Sequence, residues 1–299
     1  MRERIPALEV PMALLRWKIG DVTITRIPEL SVPLALGEFL PEATPAALAP
    51  HRSWLEPHFL APDGVFQLSI HGLVVDTGER RILVDTCVGP HPIPGFDDLA
   101  ASAGDFLGAL GDAGYARETI DVVLCTHMHF DHIGWNTIRE GDRFVPTFPN
   151  ARYLFGRAEW EHWSTSPDRG MYAATFDAAV RPIVAAGLAD FVESDHKLCD
   201  TVRLVSTAGH TPGHVSVEIA SQGERAFITG DMTHHPVQWA EPDWRMPADS
   251  DSAAAAATRR RIAGALANAP VLVIGTHYAP PCAGQLVRGA SGVWFRAQS

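Results

Sequence analysis

The strongest constraint on this chain is a dense run of side chains able to bind metals, THMHFDH, at residues 126–132. It follows an apolar segment, residues 122–124, which predicts a buried strand that ends where the run begins. Neutral imidazole and carboxylate groups are the ligands that zinc and similar divalent cations prefer. On a loop after a strand, alternate residues can face one pocket while Met128 and Phe130 face the other way. The run therefore predicts a metal site; the alternative is a histidine-rich surface turn.

Three downstream segments repeat the arrangement of a short apolar run followed by a polar residue that can bind a metal. His210 lies in TAGHTPGH at residues 207–214, Asp231 follows the run 226–228, and His277 follows the run 271–274. A nearby glycine in each segment lets the backbone turn tightly after the strand. A surface turn would not require these additional segments, so the four together favour the metal site.

With these motifs in this order, the sequence from about residue 66 to the C-terminus resembles the metallo-β-lactamase-fold hydrolases. The resemblance implies an α+β fold, a four-layer αββα sandwich, with two divalent metal ions, Zn²⁺ or alternatively Fe, Mn or Co. It implies seven ligands: His127, His129 and His210 for one ion, Asp131, His132 and His277 for the second, and Asp231 bridging both. The presence of His132 and Asp231 argues against mononuclear members. His129 stands where the di-iron flavoprotein branch has Glu, which argues against that branch.

A dinuclear site of this kind would generate its own nucleophile. Two metal ions about 3.5–4 Å apart can share a water molecule and lower its pKa toward neutrality, which yields a bridging hydroxide. We expect Asp131 to be catalytic as well as a ligand, by carrying a proton to the leaving group. The resemblance places Asp85 beneath the metals as a support for a ligand histidine, with a turn residue as the alternative. His214 is expected to be a hydrogen-bonded structural partner of the site rather than a ligand.

The nearest subgroups by resemblance are the quorum-quenching lactonases and the methyl parathion hydrolase-like enzymes. Both resemblances rest on HFDH at residues 129–132, followed by Gly134 and Asn136. Many lactonases have a tyrosine three residues after the bridging aspartate, where this chain has His234. That departure is more similar to the methyl parathion hydrolase group. We predict that His234 is catalytic, as a hydrogen-bond donor to a bound carbonyl or leaving group; the alternative is a packed histidine.

These motifs predict a metal-dependent hydrolase that opens a small-molecule lactone, resembling an acyl homoserine lactone, or a related ester. The alternatives are an organophosphate or aryl ester hydrolase, an iron-dependent oxidoreductase such as a persulfide dioxygenase, and a non-catalytic binding module. The dioxygenase branch uses a single iron, and a binding module would require a damaged metal site, so the complete ligand set favours hydrolysis. Residues near the ligands are predicted to form an apolar cleft wall or, alternatively, to pack in the core: Phe96, Phe130, Trp135, Met232, Trp239 and Trp244.

The composition is that of an ordinary globular protein, with 46% hydrophobic and 20% charged residues among 299. A formal net charge of −11 argues against a nucleic-acid partner. The four cysteines contain no C-x-x-C pair and are expected to be free, mostly buried thiols. We expect a cytoplasmic protein without a membrane span, because the sequence shows no signal-peptide core and no long apolar run. The same observation disfavours a secreted β-lactamase.

We predict one domain over residues 1–299, with residues 1–16 as an N-terminal arm that makes a homodimer a reasonable expectation. Strands are predicted at residues 17–27, 66–75, 81–88, 120–125, 153–155, 202–206, 215–219, 226–229, 271–274 and 293–295. A turn at residues 76–79 joins the second and third of these as a hairpin. Helices are predicted at 98–113, at 157–186 as one or two segments, and up to 267 after the capping residues 249–252. Residues 28–62 are predicted to be a loop with short helices.

Overall fold

Two β-sheets stacked face to face lie at the centre of the protein. The computed structural model describes residues 14–96, 104–166, 169–290 and 292–298. The strands are β1 (Arg16–Ile19), β2 (Val22–Leu34), β3 (Phe66–Asp76), β4 (Arg81–Val84), β5 (Val122–Leu124), β6 (Thr137–Glu140), β7 (Arg143–Pro146), β8 (Arg152–Gly156), β9 (Ala189–Val192), β10 (Val202–Ser206), β11 (Val215–Ser221), β12 (Glu224–Ile228), β13 (Val271–Ile274), β14 (Ala283–Gly289) and β15 (Gly292–Ala297).

Helices cover the outer faces of both sheets. They are α1 (Pro45–Leu48), α2 (Arg52–Leu55), α3 (Phe106–Asp112), α4 (Phe130–Ile133), α5 (Arg157–Thr165), α6 (Tyr172–Ala179), α7 (Arg181–Ala185), α8 (Val237–Ala240) and α9 (Ser252–Leu266). Short 3₁₀ turns lie at Ala49–His51, Arg117–Thr119, Gly134–Asn136 and Gly230–Met232.

Both main sheets are mixed. The first has the order β1-β2-β3-β4-β5-β8-β9, antiparallel from β1 to β4 and parallel from β4 to β9. The second has the order β10-β11-β12-β13-β14-β15, in which β12 and β13 are parallel and the other pairs antiparallel. β6 and β7 form a separate hairpin. Because the carboxyl ends of parallel neighbours share an edge, the loops after β12 and β13 emerge together.

Three apolar layers fill the space between sheets and helices. In β5, Val122 and Leu124 pack between the two sheets, whereas Val123 faces the outer helices. α3, α5, α6 and α7 cover the first sheet, and α1, α2, α8 and α9 cover the second. A strand buried on both faces reads as a continuous apolar run, which explains the sequence of β5. The predicted αββα sandwich is confirmed.

The structure corrects the first predicted strand. Residues 17–27 form the antiparallel pair β1–β2, which turns at Gly20 and Asp21. Gly20 has a φ of +55°, a left-handed conformation of the kind that two-residue hairpin turns require. β2 then continues through Pro28 and Pro33, where a loop was predicted. These prolines are tolerated because β1 pairs only with residues 22–25 of β2, so neither proline has to donate a hydrogen bond to β1.

The other element predictions were partly correct. The hairpin around residues 76–79 is confirmed as β3–β4. The helix before residue 267 is confirmed as α9, with Asp251 Oδ1 accepting a hydrogen bond from Ala254 N at 2.9 Å. Residues 157–186 hold three helices rather than one or two, and Pro182 lies in the first turn of the third. The sequence prediction missed β9, β14 and the β6–β7 hairpin.

Some predictions fall outside the described residues. Most of the predicted arm, residues 1–13, lies there, as do residues 97–103, which contain the start of the predicted helix at 98–113. The described part of that helix is α3. The single domain, the arm and the homodimer therefore stay predictions.

Two further predictions concern the cysteines and membrane spans. All four cysteines are free thiols, and Cys87, Cys125 and Cys282 are buried, as predicted. Within the described ranges, every helix is too short or too polar to cross a membrane.

Candidate metal centre

Four loops meet at one edge of the sandwich, each directly after a strand. Residues 126–132 follow β5, residues 207–214 join β10 to β11, Asp231 follows β12, and His277 follows β13. Backbone hydrogen bonds between the two sheets hold these loops together. Val215 N donates to Thr126 O at 3.0 Å, and Ser69 N donates to His277 O at 3.0 Å. The seven predicted ligands thereby form two adjoining groups.

The first group contains His127, His129, His210 and Asp231, all buried, with potential ligand atoms within 4.8 Å of one another. His129 Nδ1 is 3.0 Å from His210 Nε2. Asp231 Oδ2 is 3.5 Å from His210 Nε2 and 3.7 Å from His127 Nε2. Ligand atoms on a tetrahedral zinc with bonds near 2.0–2.1 Å lie about 3.3 Å apart, so this spacing suits one metal ion.

The second group contains Asp131, His132 and His277. His132 Nε2 is 3.3 Å from His277 Nε2, and Asp131 Oδ2 is 3.5 Å from His277 Nε2. Asp231 also reaches this group, with Oδ2 at 3.2 Å from His132 Nε2 and Oδ1 at 3.1 Å from His277 Nε2. One carboxylate therefore adjoins both groups, which is the position of a bridging ligand.

Four of the predicted ligand histidines use one ring nitrogen for a contact outside the cluster. His127 Nδ1 lies 3.1 Å from Thr126 Oγ1, His132 Nδ1 2.9 Å from Asp85 Oδ2, His210 Nδ1 2.9 Å from Asp249 Oδ1, and His277 Nδ1 3.2 Å from Ser69 O. These contacts turn Nε2 of each ring toward the cluster. His129 differs, because its Nδ1 faces the cluster and its ring stacks on Tyr172 at 4.2 Å with an interplanar angle of 11°.

The protonation of the first group suits a metal. Burial lowers the pKa of His127, His129 and His210 well below the usual 6.5; neighbouring histidines lower it further, and Asp231 opposes the effect. Neutral imidazole is the form that binds metals. His127 Nε2 is buried and has no hydrogen-bond partner among the described residues. Since buried polar atoms are normally satisfied, this nitrogen fits coordination to a metal ion.

In the second group, Asp231 and the histidines around it shift one another's pKa values. Burial alone would lower the pKa of His132, but Asp231, Asp85 and Asp131 raise it well above 6.5. Burial would also lower the pKa of His277, but Asp231 and Asp131 raise it above 6.5. Burial would raise the pKa of Asp231, but the histidines around it hold the value well below 3.8. A raised pKa favours the protonated ring, and metal binding displaces a proton from such a ring.

Comparison with known proteins agrees with this fold and cluster. A family model described as the metallo-beta-lactamase superfamily matches residues 67–277. The chain belongs to that superfamily. The match begins in β3 and ends at His277, so it includes all four loops of the cluster.

Several known proteins are similar to this chain in sequence or in structure. An N-acyl homoserine lactonase from Bacillus sp is 25% identical over 54% of this chain; the match covers 63% of that enzyme, less than two thirds of its length. AidC, a dizinc quorum-quenching lactonase solved with a product, is 23% identical with a TM-score of 0.79, covering 96% of this chain and 97% of its own. The hydrolase AbOPH of the beta lactamase superfamily gives the same values. At this identity, the two solved structures show a shared fold.

Two residues that were predicted to support the metal ligands, Asp85 and His214, lie directly beneath the cluster. Asp85, in a left-handed conformation with a φ of +59°, accepts hydrogen bonds from Thr126 N at 2.7 Å and from Thr126 Oγ1 at 2.9 Å, and also contacts His132. His214 Nε2 accepts a hydrogen bond from Asp231 N at 2.8 Å. Burial lowers the pKa of His214 to about 4, which leaves the ring neutral as an acceptor. Each of these two residues holds a segment that carries a predicted ligand.

His234 approaches the cluster beside the bridging position. Its Nε2 is 3.1 Å from Asp231 Oδ2, and its ring lies parallel to that of His277 at a centroid distance of 5.6 Å. The ring also lines the cleft above the cluster. Within the described part of the chain, the buried His234 Nδ1 has no hydrogen-bond partner. The side chain is therefore placed to reach a bound substrate, and its catalytic role stays a prediction.

A cavity of about 710 Å³ opens onto the cluster. One wall is aliphatic and comes from β2 and β3: Val32, Leu34, Leu68 and Ile70. A second wall is aromatic and comprises Phe96, Phe130 and Tyr172. Successive rings in this wall lie 5.7 Å and 5.9 Å apart, and Tyr172 stacks on His129. The charged residues that line the cavity are Glu38, Asp131 and Asp231, and none of the described lining residues is lysine or arginine.

For four residues the structure supports the alternative of core packing over a place in the cleft wall: Trp135, Met232, Trp239 and Trp244. Trp135 stacks on Phe106 at 6.3 Å, and its Nε1 donates to Glu29 Oε1 at 2.6 Å. The other three are buried in the apolar layer outside the second sheet. Nearness to a ligand in the sequence does not predict a cleft residue here, because neighbouring residues on these turns point to opposite sides. Phe96 and Phe130 do line the cleft, and their contact with substrate stays a prediction.

Sequence reasoning missed several residues that support the cluster. Asp249 was predicted only as a helix-capping residue, yet its carboxylate holds His210. No sequence feature predicted a role for Glu159 or Ser69, because they lie in segments distant from every ligand motif. Tyr172 lies in the segment 157–186, for which the sequence predicted only helices. These contacts are set by tertiary packing, which a motif spacing does not encode.

Proposed function

We propose that this protein is a dinuclear metal hydrolase that opens an electrically neutral lactone, such as an acyl homoserine lactone, or a related ester. The observation that carries the proposal is the cleft itself, an apolar cavity that opens onto a seven-residue His/Asp cluster and has no lysine or arginine among its described lining residues. Away from the metal ions, an anionic group on a substrate would meet Glu38, and the described lining residues include no lysine or arginine to pair with it. The lactonase name of the Bacillus relative supports the same substrate class.

One metal would be held by His127, His129 and His210, and a second by Asp131, His132 and His277, with Asp231 between them. Zinc suits these nitrogen-rich groups, with iron, manganese or cobalt as alternatives. When bound, two such ions supply a nucleophile from water near neutral pH and polarise the substrate carbonyl.

Two residues of the chain would handle protons and orientation. Asp131 lines the cleft and is part of the second group, so one of its oxygens can carry a proton to the leaving alkoxide. A neutral His234 has one N–H and one lone pair. With its N–H turned to the substrate, it can donate a hydrogen bond to the carbonyl or to the leaving oxygen.

The substrate would lie between the two walls of the cleft. A flexible acyl chain suits the aliphatic wall formed by Val32, Leu34, Leu68 and Ile70, because burying methylene groups there is favourable at about 0.8 kcal/mol each. The lactone ring would then lie over the cluster, near Asp131 and His234.

An organophosphate or aryl ester hydrolase is the second candidate, and the aromatic wall favours it. The rings of Phe130, Tyr172 and His129 stack in series, and Phe96 contacts Phe130 at a tilt of 37°. A planar aryl leaving group can stack on such a series. The iron-dependent oxidoreductase alternative is weaker, because the cluster offers two ligand groups rather than one.

Proton release with zinc-loaded protein tests this proposal. A long-chain acyl homoserine lactone and paraoxon are assayed in parallel, with benzylpenicillin as an anionic comparison. We expect fast lactone opening, slower paraoxon turnover and no turnover of the penicillin. A reversed ratio of lactone to paraoxon would favour the aryl ester and phosphotriester alternative. Asp231→Ala is the control, since it should lose two-metal occupancy and turnover together; full activity in that variant would refute the site.

A further inference from the structure

Glu159 on α5 is a buried carboxylate that contacts two of the four cluster loops. Its Oε2 accepts hydrogen bonds from Met128 N at 3.1 Å and from Trp163 Nε1 at 2.8 Å. Its Oε1 accepts one from Gly213 N at 2.8 Å. The residue is 1% exposed, so these three donors replace the water that the carboxylate loses on folding.

The two backbone donors lie within the ligand segments themselves. Met128 is flanked on both sides by predicted ligands, His127 and His129. Gly213 is three residues after His210, in the loop between β10 and β11. The first segment extends from the first sheet and the second from the second sheet. One carboxylate therefore ties together the two loops that contribute all three histidines of the first group.

The approach of the second loop to α5 is close. A Cβ atom placed on Gly213 would lie 2.5 Å from Glu159 N, closer than side chains tolerate. Only glycine lets the loop reach the carboxylate at this point. The distance between the loops is thus fixed by both backbone contact and hydrogen bonding.

A second buried glutamate has a similar set of donors at a different place, although Glu159 also interacts with the Thr211 side chain. Glu29, also 1% exposed, accepts hydrogen bonds from Val88 N at 2.7 Å, Gly89 N at 3.2 Å and Trp135 Nε1 at 2.6 Å. Both glutamates accept two backbone N–H groups and one indole N–H. Its backbone donors Val88 and Gly89 adjoin no predicted ligand in the sequence, and its indole donor Trp135 lies three residues after His132, a ligand of the second group and not of the first. Glu29 is therefore a matched comparison for burial and hydrogen bonding.

We propose that Glu159 is a positioning residue for the first metal site. By holding Met128 and Gly213 at a fixed separation, it sets the distance of His127 and His129 from His210. This inference rests on the proposed two-metal centre and not on the identity of the substrate. Charge-assisted hydrogen bonds suit this role because they are shorter and stronger than neutral ones.

The test compares Glu159→Gln with Glu29→Gln. Stepwise zinc affinities are measured by competition with a chromophoric chelator, the visible spectrum of the Co²⁺-loaded protein reports ligand geometry, and urea unfolding of the metal-free proteins reports stability. We expect both variants to lose stability, because each amide turns one NH₂ group toward an N–H donor. Only Glu159→Gln should weaken one of the two metal affinities, by roughly 10–100-fold, and alter the Co²⁺ spectrum.

Three outcomes separate this inference from the proposed function. Wild-type protein that binds fewer than two metal ions refutes the dinuclear centre, and with it the inference. If wild type and Glu159→Gln both bind two ions tightly, the positioning role alone is refuted. It is also refuted if Glu29→Gln loses the same metal affinity as Glu159→Gln to the same extent. If Glu159→Gln does not fold, Gly213→Ala provides the test. Its added Cβ pushes the loop from α5 while the carboxylate remains, and unchanged affinity in that variant overturns the proposal.

Discussion

Asp249 Oδ1 lies 2.9 Å from His210 Nδ1, although 39 residues separate the two in the sequence. Both side chains are fully buried, and Asp249 Oδ2 faces Arg259 Nη1 at 3.6 Å. Arg259 on α9 also donates to Met232 O at 3.3 Å, one residue after Asp231. The carboxylate therefore connects a predicted ligand to a buried cation that contacts a second ligand segment.

Replacing Asp249 by Asn should weaken metal binding while keeping an oxygen for His210. The imidazole becomes less basic without the carboxylate, so we expect metal affinity to fall by roughly 10–100-fold. Competition with a chromophoric chelator measures this change. Asp251→Asn is the control, because Asp251 caps α9 through Ala254 N and its side chain contacts no predicted ligand. Equal affinity in all three proteins would show that Asp249 does not act on the site.

Removal of the metals should destabilise the protein. Ligands that bind only the folded state stabilise it by mass action, and metal ligands are not assembled in the unfolded chain. Dialysis against a chelator should therefore lower Tm and abolish turnover, and two equivalents of Zn²⁺ should restore both. Mg²⁺ should restore neither, because it prefers oxygen ligands to imidazole. Elemental analysis and differential scanning fluorimetry check the prediction; an unchanged Tm after complete metal removal would contradict it.

The sequence was sufficient to predict the sandwich and the approach of the seven candidate ligands to one another. Each ligand follows a short apolar strand, and the resemblance placed those strands in a known architecture. Asp85 was also found in this way, since it follows β4 just as His127 follows β5. These are local signals, because strand, turn and polar residue all lie within a few positions.

Contacts set by tertiary packing could not be predicted. Asp249 and Glu159 reach their partners across 39 and 54 residues, respectively, and no spacing rule relates them. Trp135 and Met232 are next to ligand segments, yet both point away from the cleft. The turn at Gly20 was missed because alternation on its two sides reads as one continuous strand.

Removal of the His234 side-chain donor should slow turnover without loss of metal. His234→Phe keeps a ring of similar size but has no polar atom. We expect its kcat to fall by about 10²-fold, the effect typical of losing one preorganised hydrogen bond to a reacting carbonyl. His234→Gln retains an N–H donor and should keep more of the activity. Metal content measured in both variants must match the wild type; equal kcat in wild type and His234→Phe would assign this histidine to packing.

Truncation of the aliphatic wall should affect long acyl chains selectively. Leu34→Ala removes apolar surface from the cleft, and each buried methylene is worth about 0.8 kcal/mol. We expect KM for a twelve-carbon acyl lactone to rise by roughly 3- to 10-fold, with little change for a four-carbon chain. Leu36→Ala is the matched control, because Leu36 packs against the apolar layer outside the second sheet and is not a cleft residue. The same chain-length ratio in both variants would exclude this wall from substrate binding.

His235 should make stability depend on pH. Its Nε2 lies 2.9 Å from Phe59 O, its Nδ1 accepts from Val237 N at 3.2 Å, and burial lowers its pKa to about 4. The folded protein thus favours the neutral ring, whereas the unfolded chain binds a proton near the usual value of 6.5. Stability from this group is complete above 6.5 and is lost as pH falls toward 4, with a loss of about 2 kcal/mol at pH 5.

The variant His235→Gln isolates this contribution. It should be less stable than wild type at pH 7, since glutamine replaces both hydrogen bonds imperfectly. Because glutamine does not titrate, the difference in unfolding free energy between the two proteins should shrink by about 2 kcal/mol between pH 7 and pH 5. The histidines of the metal cluster titrate in both proteins, so they cancel in this difference. Urea unfolding of the metal-free proteins at both pH values measures it, and a constant difference would mean that the ring is not held neutral by burial.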